Sequence, residues 1–234
     1  VGSERGERAW AKRRQTRYTL EVLLRETFPA GPLECNCTIL ACGDTKDAVV
    51  IDPGGELEHI AEIVAHYDLT VRSIIHTHAH LDHIYGTRDV KEAHGGAICL
   101  HKGDTFLYDG FAMQAAMFGW KVRDTLPVER WIEHGDTIQL GKRELSVIHT
   151  PGHTPGSVCF EIHDPDAGRL MFAGDTLFKR SIGRSDLPGG DGKQLVTSIR
   201  ERLYTRDLDT LVIPGHGPTT TLGDEARANP FVRA

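Results

Sequence analysis

The chain has 234 residues, 39% hydrophobic and 26% charged, enough for one large globular domain with a real core. Its net charge of −6 argues against general binding to nucleic-acid backbones, and no apolar run approaches membrane-spanning length. Residues 1–18 stand apart. Six basic and two acidic side chains fall in the first 17 positions without hydrophobic periodicity, so the segment reads as a basic, mobile arm ahead of a folded domain over 19–234. The five cysteines (Cys35, Cys37, Cys42, Cys99 and Cys159) lack zinc-type C-x-x-C spacing and read as reduced, buried thiols of a cytoplasmic protein.

In chain order, residues 19–28 (TLEVLLRETF), 36–42 (NCTILAC) and 48–55 (AVVIDPGG) are β-rich runs closed by turn residues. The second and third read as a hairpin through Gly43-Asp44-Thr45. Residues 56–67 repeat apolar positions at Leu57, Ile60, Ile63 and Val64, a helical period. A strand over 71–77, a helix over 87–93 and a strand over 94–101 follow. Residues 103–120 mix aromatics and methionines without a decisive period; core packing is the reading, with cover over a site mouth as the alternative. A hairpin over 137–150, strands over 157–162 and 169–175, a helix over 194–204 and a strand over 209–215 complete the pattern. There is no internal repeat or linker, and the alternation indicates a mixed α/β domain with helix-covered sheets.

The segment IIHTHAHLDHIYG (74–86) places His76, His78, His80, Asp82 and His83 just past an expected strand end. His78 and His80, two apart on extended backbone, point the same way. Asp82 and His83 follow where the chain turns into a helix and serve a neighbouring point, so the spacing suggests two metals rather than one. A zinc ion takes about four ligands, and three later strand ends offer them: His153 in TPGHTPGS, Asp175 in MFAGDTLF and His216 in VIPGHGP. Each is a ligand-type side chain flanked by glycine at the carboxyl end of an apolar run, the edge where sites gather in α/β sheets.

These four motifs, in this order, resemble the metallo-β-lactamase-fold hydrolases, over roughly residue 19 to the C-terminus. The resemblance implies an α/β fold, a four-layer αβ/βα sandwich in a single catalytic domain. It implies one metal on His78, His80 and His153, a second on Asp82, His83 and His216, and Asp175 bridging the two. Asp82 and Asp175 are then catalytic residues as well as ligands, and two divalent ions are the cofactors, zinc first, with iron or manganese as alternatives. Two such ions make water a nucleophile at neutral pH, so Ser157 near His153 is not needed as one. His76 lies outside the pattern and reads as a packed histidine.

ECNCTIL (34–40), FKRSIGRSDLPGGD (178–191) and GPTTTLGDEARANPF (217–231) are similar to the compact bacterial branch of glyoxalase II-like proteins, the hydroxyacylglutathione hydrolases. This implies a small anionic thioester substrate, S-D-lactoylglutathione or a related acyl-glutathione, and neither nucleic acid nor membrane as partner. Lys179, Arg180 and Arg184 form a basic patch beyond Asp175, with Lys179 and Arg184 the expected contacts to a substrate carboxylate. Where glyoxalase II grips glutathione with a lysine and a tyrosine, this chain has Arg184 and Asp186: the charge is kept and the tyrosine contact is lost. Two-domain glyoxalase II continues into a helical domain, whereas here only 18 residues follow His216, so a looser hold on substrate is expected. Asp175 stands where the commonest zinc β-lactamases have cysteine, against a dedicated β-lactamase. Persulfide dioxygenases, which use one iron at positions equivalent to His78, His153 and Asp175, are the runner-up. They share a segment like Gly183–Asp186, but PGHGP and LPGGD favour the hydrolases. A phosphodiesterase or lactonase of the same superfamily is the remote alternative.

Overall fold

A computed structural model of the protein describes residues 23–164 and 168–233. The basic arm and the first four residues of the expected first strand lie outside the described residues. Strands β1 (Leu23–Ala30), β2 (Cys35–Cys42) and β3 (Asp47–Ile51) form an antiparallel meander. The sheet continues in parallel through β4 (Thr70–Ile75), β5 (Ala97–His101) and β6 (Arg130–Ile132). Helix α1 (Leu57–His66) crosses from β3 to β4; the single turn α2 (Leu81–Ile84) and helix α3 (Thr87–His94) cross to β5, and α4 (Thr105–Asp109) and α5 (Phe111–Met117) lie before β6. Strands β7 (Thr137–Leu140), β8 (Arg143–His149), β9 (Val158–Asp164) and β10 (Gly168–Gly174) make a second antiparallel meander. After a small ribbon of β11 (Leu177–Phe178) and β12 (Ser181–Ile182) and helix α6 (Gly192–Ser198), β13 (Leu211–Pro214) adds in parallel beside β10. β14 (Thr220–Thr221) edges this sheet, and α7 (Leu222–Ala228) follows.

Alternation along the strands makes three apolar layers. On β2, Cys37, Ile39 and Ala41 face Ile60, Ile63 and Val64 of α1 and the other helices of that side, while Leu40 and Cys42 face the second sheet. On β9, Val158, Phe160 and Ile162 face inward and Cys159 faces Leu195 of α6 and Leu222 of α7. Helix, sheet, sheet, helix is the four-layer αβ/βα sandwich expected. Sheets buried on both faces read as near-continuous apolar runs, and each wholly buried side chain such as Ile39 or Phe160 contributes about 1.5–3 kcal/mol.

Several expected elements differ in extent, such as the strand read over 94–101, which begins at Ala97. The strand read over 48–55 ends at Ile51, because Asp52 takes a left-handed φ of 50° and Gly54 N–H donates to the Asp52 carbonyl at 2.8 Å. The helix read over 194–204 is α6, capped by Asp191 at Lys193 N and Gln194 N, followed by a π-helical turn Ile199–Leu203. Residues 103–117 are mostly helical. Leu107, Tyr108, Phe111 and Ala115 pack into the core as expected, whereas Phe106, Met113, Met117 and Phe118 are exposed.

Strands β8, β10 and β13 run the same way, so their carboxyl ends gather at one edge, beside the end of β4. There the two sheets are stitched together: Val158 N–H donates to the Thr77 carbonyl at 2.8 Å, and Asn36 N–H to the Gly215 carbonyl at 2.7 Å. The Asn36 amide also donates to the Pro214 and Gly217 carbonyls.

Candidate metal centre

Past Ile75 the chain bends at Thr77 and is extended at His80 (φ −70°, ψ 151°), the residue before α2. His78 and His80 lie on one side, and α2 then turns Asp82 and His83 about 100° apart onto adjacent targets. Loop 150–157 after β8 carries His153, the residue after β10 is Asp175, and His216 follows β13. Gly215 is required by space: a Cβ there would lie 2.2 Å from Asp175 Oδ1 and 2.9 Å from His83 Cε1.

Two groups of donor atoms result. In the first, His78 Nε2, His80 Nδ1 and His153 Nε2 are 2.9–3.1 Å from one another. Three nitrogens this close together would hold one divalent ion such as zinc, which takes about four ligands. In the second, Asp82 Oδ2 is 3.1 Å from His216 Nε2 and 3.6 Å from His83 Nε2. Asp175 spans both, with Oδ2 3.6 Å from His153 Nε2 and Oδ1 3.5 Å from His83 Nε2 and 3.8 Å from His216 Nε2. His83 Nε2 and Asp175 Oδ1 are buried and have no hydrogen-bond partner among the described residues. A cation between them supplies the missing partner, so the residues fit divalent metal.

The far sides of the rings are fixed. Thr77 Oγ1 donates to Asp52 Oδ2 at 2.6 Å and lies 3.2 Å from His78 Nδ1, which leaves that nitrogen to donate and Nε2 free to coordinate. Asp52 Oδ2 accepts from His83 Nδ1 at 3.0 Å, and the Arg184 carbonyl accepts from His153 Nδ1 at 2.7 Å. Burial first, then the neighbouring imidazoles, lowers the pKa of His78 well below the usual value and that of His80 to about 3. Both rings are neutral near pH 7, the form that binds metal. Asp82 is pushed up by burial, but His83 and His216 outweigh this and hold it below the usual carboxylate range. Cys35 Sγ lies 3.4 Å from His83 Nδ1 and within 4.8 Å of a His216 ring nitrogen; burial raises its pKa to about 12, so it stays a thiol.

The structure thus brings together all seven residues read as ligands: His78, His80, Asp82, His83, His153, Asp175 and His216. It does not gather the basic patch. Lys179 is exposed, and the exposed Arg184 guanidinium pairs with Asp186 through Nε–Oδ1 at 2.7 Å and Nη2–Oδ2 at 2.8 Å. His76 is packed, as read, with Nε2 3.3 Å from Thr87 Oγ1. Ser157 Oγ accepts from Thr154 N–H at 3.0 Å, a turn contact. Sequence reasoning missed Asp52, Thr77, Cys35, Asp104 and Gln114. Asp52 shares part of the signal used for Asp175, a carboxylate directly after an apolar strand with glycine nearby, ahead of Asp175 and beyond Asp52.

Imidazoles and carboxylates converging at the shared edge of two helix-backed sheets define an αβ/βα metalloprotein. The chain belongs to the metallo-beta-lactamase superfamily, whose family model matches residues 30–216. It is 36% identical over 211 residues to hydroxyacylglutathione hydrolase GloC of Haemophilus influenzae, covering 89% of this chain and 98% of that one. Among solved structures it is similar to the BLEG-1 B3 metallo-beta-lactamase, with a TM-score of 0.81, 34% identity, and 90% and 100% of the two chains covered. It is also similar to TTHA1623 in a di-iron-bound form, with a TM-score of 0.75, 40% identity, and 92% and 100% covered.

Proposed function

We propose that the protein hydrolyses a thioester, S-D-lactoylglutathione or a related acyl-glutathione, with two divalent metal ions, zinc in the first instance. His78, His80 and His153 hold one ion, Asp82, His83 and His216 the other, and Asp175 bridges them. The observation that carries the reading is Asp175, one oxygen turned toward each group of imidazoles. When bound, such a pair of ions supplies a water nucleophile at neutral pH and a Lewis acid for a carbonyl oxygen. Asp52 and the Arg184 carbonyl hold His83 and His153 in the tautomers that coordinate. Asp82, held below the usual carboxylate range by His83 and His216, stays ionised, the form that would coordinate a metal.

The likeness to GloC supports the acyl-glutathione substrate. Lys179 and Arg184 receive its carboxylates, Arg184 by exchanging Asp186 for the ligand. The test is thiol release from S-D-lactoylglutathione by metal-loaded protein, with and without chelator. Chelator-sensitive release is expected, with a KM raised by Arg184→Ala more for anionic than for neutral thioesters. No release would remove the substrate assignment, and faster opening of a β-lactam would move it to the class for which BLEG-1 is named. A second reading, oxidation of glutathione persulfide at one iron, has in its favour the iron in TTHA1623 and the His78, His153 and Asp175 donors. Oxygen uptake on that substrate separates the two.

A further inference from the structure

Asp104 ends the helical turn Lys102–Asp104 between β5 and α4, and its side chain is wholly buried. The carboxylate accepts three hydrogen bonds. Ala79 N–H and Thr154 Oγ1 donate to Oδ2 at 3.0 and 2.8 Å, and Gly156 N–H donates to Oδ1 at 2.6 Å. Ala79 lies between His78 and His80; Thr154 and Gly156 lie just after His153. One carboxylate on a third loop therefore ties the backbone of the first sheet's histidines to the second sheet's histidine loop.

The contact is tight enough to set a distance. A Cβ on Gly156 would lie 2.6 Å from Asp104 Cγ, and one on Gly103 would lie 2.7 Å from the Pro155 carbonyl carbon and oxygen. The two Gly-bearing turns interlock with no room for a side chain between them. A buried charge needs its donors, so losing the carboxylate removes the side-chain tie between the two loops. The Asp82, His83 and His216 group is held by other bonds, from Asp52 to His83 and from Asn36 to the backbone on either side of His216.

We propose that Asp104 is the positioning residue of the three-histidine site, holding His78 and His80 at the spacing from His153 that one cation requires. The proposal rests on the metal-site reading above, and the experiment separates the two. Full-length protein is stripped with chelator and its zinc affinity is titrated against a chromophoric competitor. Asp104→Asn is expected to weaken one of two binding steps by about 10–100-fold, the usual effect of an outer partner, and to leave the other unchanged. In a His216→Ala background the remaining site should show the same loss; in His80→Ala it should show none, because the affected site is already gone. Equal weakening of both steps, or parental affinity in folded Asp104→Asn, overturns the proposal alone. A parent that takes up no zinc overturns the metal-site reading and the proposal with it. Thr154→Val removes one of the three donors and should weaken the same step by a smaller factor. If Asp104→Asn does not fold, parental affinity in Thr154→Val overturns the proposal.

Discussion

Asp175 Oδ1 and His83 Nε2 face each other at 3.5 Å, buried and without a hydrogen bond among the described residues. In the metal-free chain each such atom costs about 1–3 kcal/mol, which the proposed ion relieves. Asp175→Ala should therefore lower bound metal from two per chain to one or fewer. Losing an outer partner alone costs 10–100-fold, so losing this ligand should cut hydrolysis by more than about 10². Metal analysis and turnover on one preparation check this, and two ions retained would discard the bridging role. The seven donors were legible in the sequence because ligand chemistry restricts residue type and each lies near a strand end. Asp104 and Gln114 were not. Their partners are mainly backbone groups, which every residue has, so no pattern of residue types announces them. Arg184 was read for its charge, yet its carbonyl is what touches His153. Asp186, two residues on, was a visible sign that the guanidinium had a partner.

Helix α5 shows the same division at the scale of an element. Phe111 and Ala115 face the core while Met113 and Met117, also four apart, face solvent. Two apolar stripes on opposite sides cancel the single period by which a helix is recognised, which is why this segment was ambiguous when β2, β8 and α1 were not. What fastens α5 is Gln114, which accepts from Leu81 N–H and donates to the Ala79 and Leu107 carbonyls, all at 2.8–3.0 Å. It clips the helix to the loop that carries His80. Gln114→Ala leaves these groups without partners and should destabilise the fold by about 1–3 kcal/mol. Thermal unfolding of the metal-free protein measures it, and an unchanged midpoint would mean that α5 is held by its apolar face alone.

Over the whole molecule, burial leaves several histidines neutral. His101 lies flat against His149, ring centroids 4.0 Å apart, and burial first, then His149, lowers its pKa to about 4; burial does the same to His76. The unfolded chain takes up these protons near pH 6.5, the folded chain only near pH 4. Their contribution is present above about pH 6.5 and lost as pH falls toward about 4. His216 and His83 run the other way: burial lowers each, but facing acidic groups raise both above the usual value, so the informative quantity is a difference. Between about pH 7 and pH 5, metal-free parent should lose more stability to urea than His101→Gln. Equal losses would show that His101 takes up its proton as readily in the fold as in the unfolded chain. Apart from the small β11–β12 ribbon, the described strands before residue 133 build one sheet and those after 136 the other, and the seven site residues divide four to three along the same line. The protein is thus a book of two leaves with the proposed ions as its clasp. Fastening the clasp and closing the leaves are one equilibrium seen from two ends. Anything that loosens the pages far from the clasp, a smaller residue for Phe160 or Ile138 included, should let metal go more readily without touching a ligand.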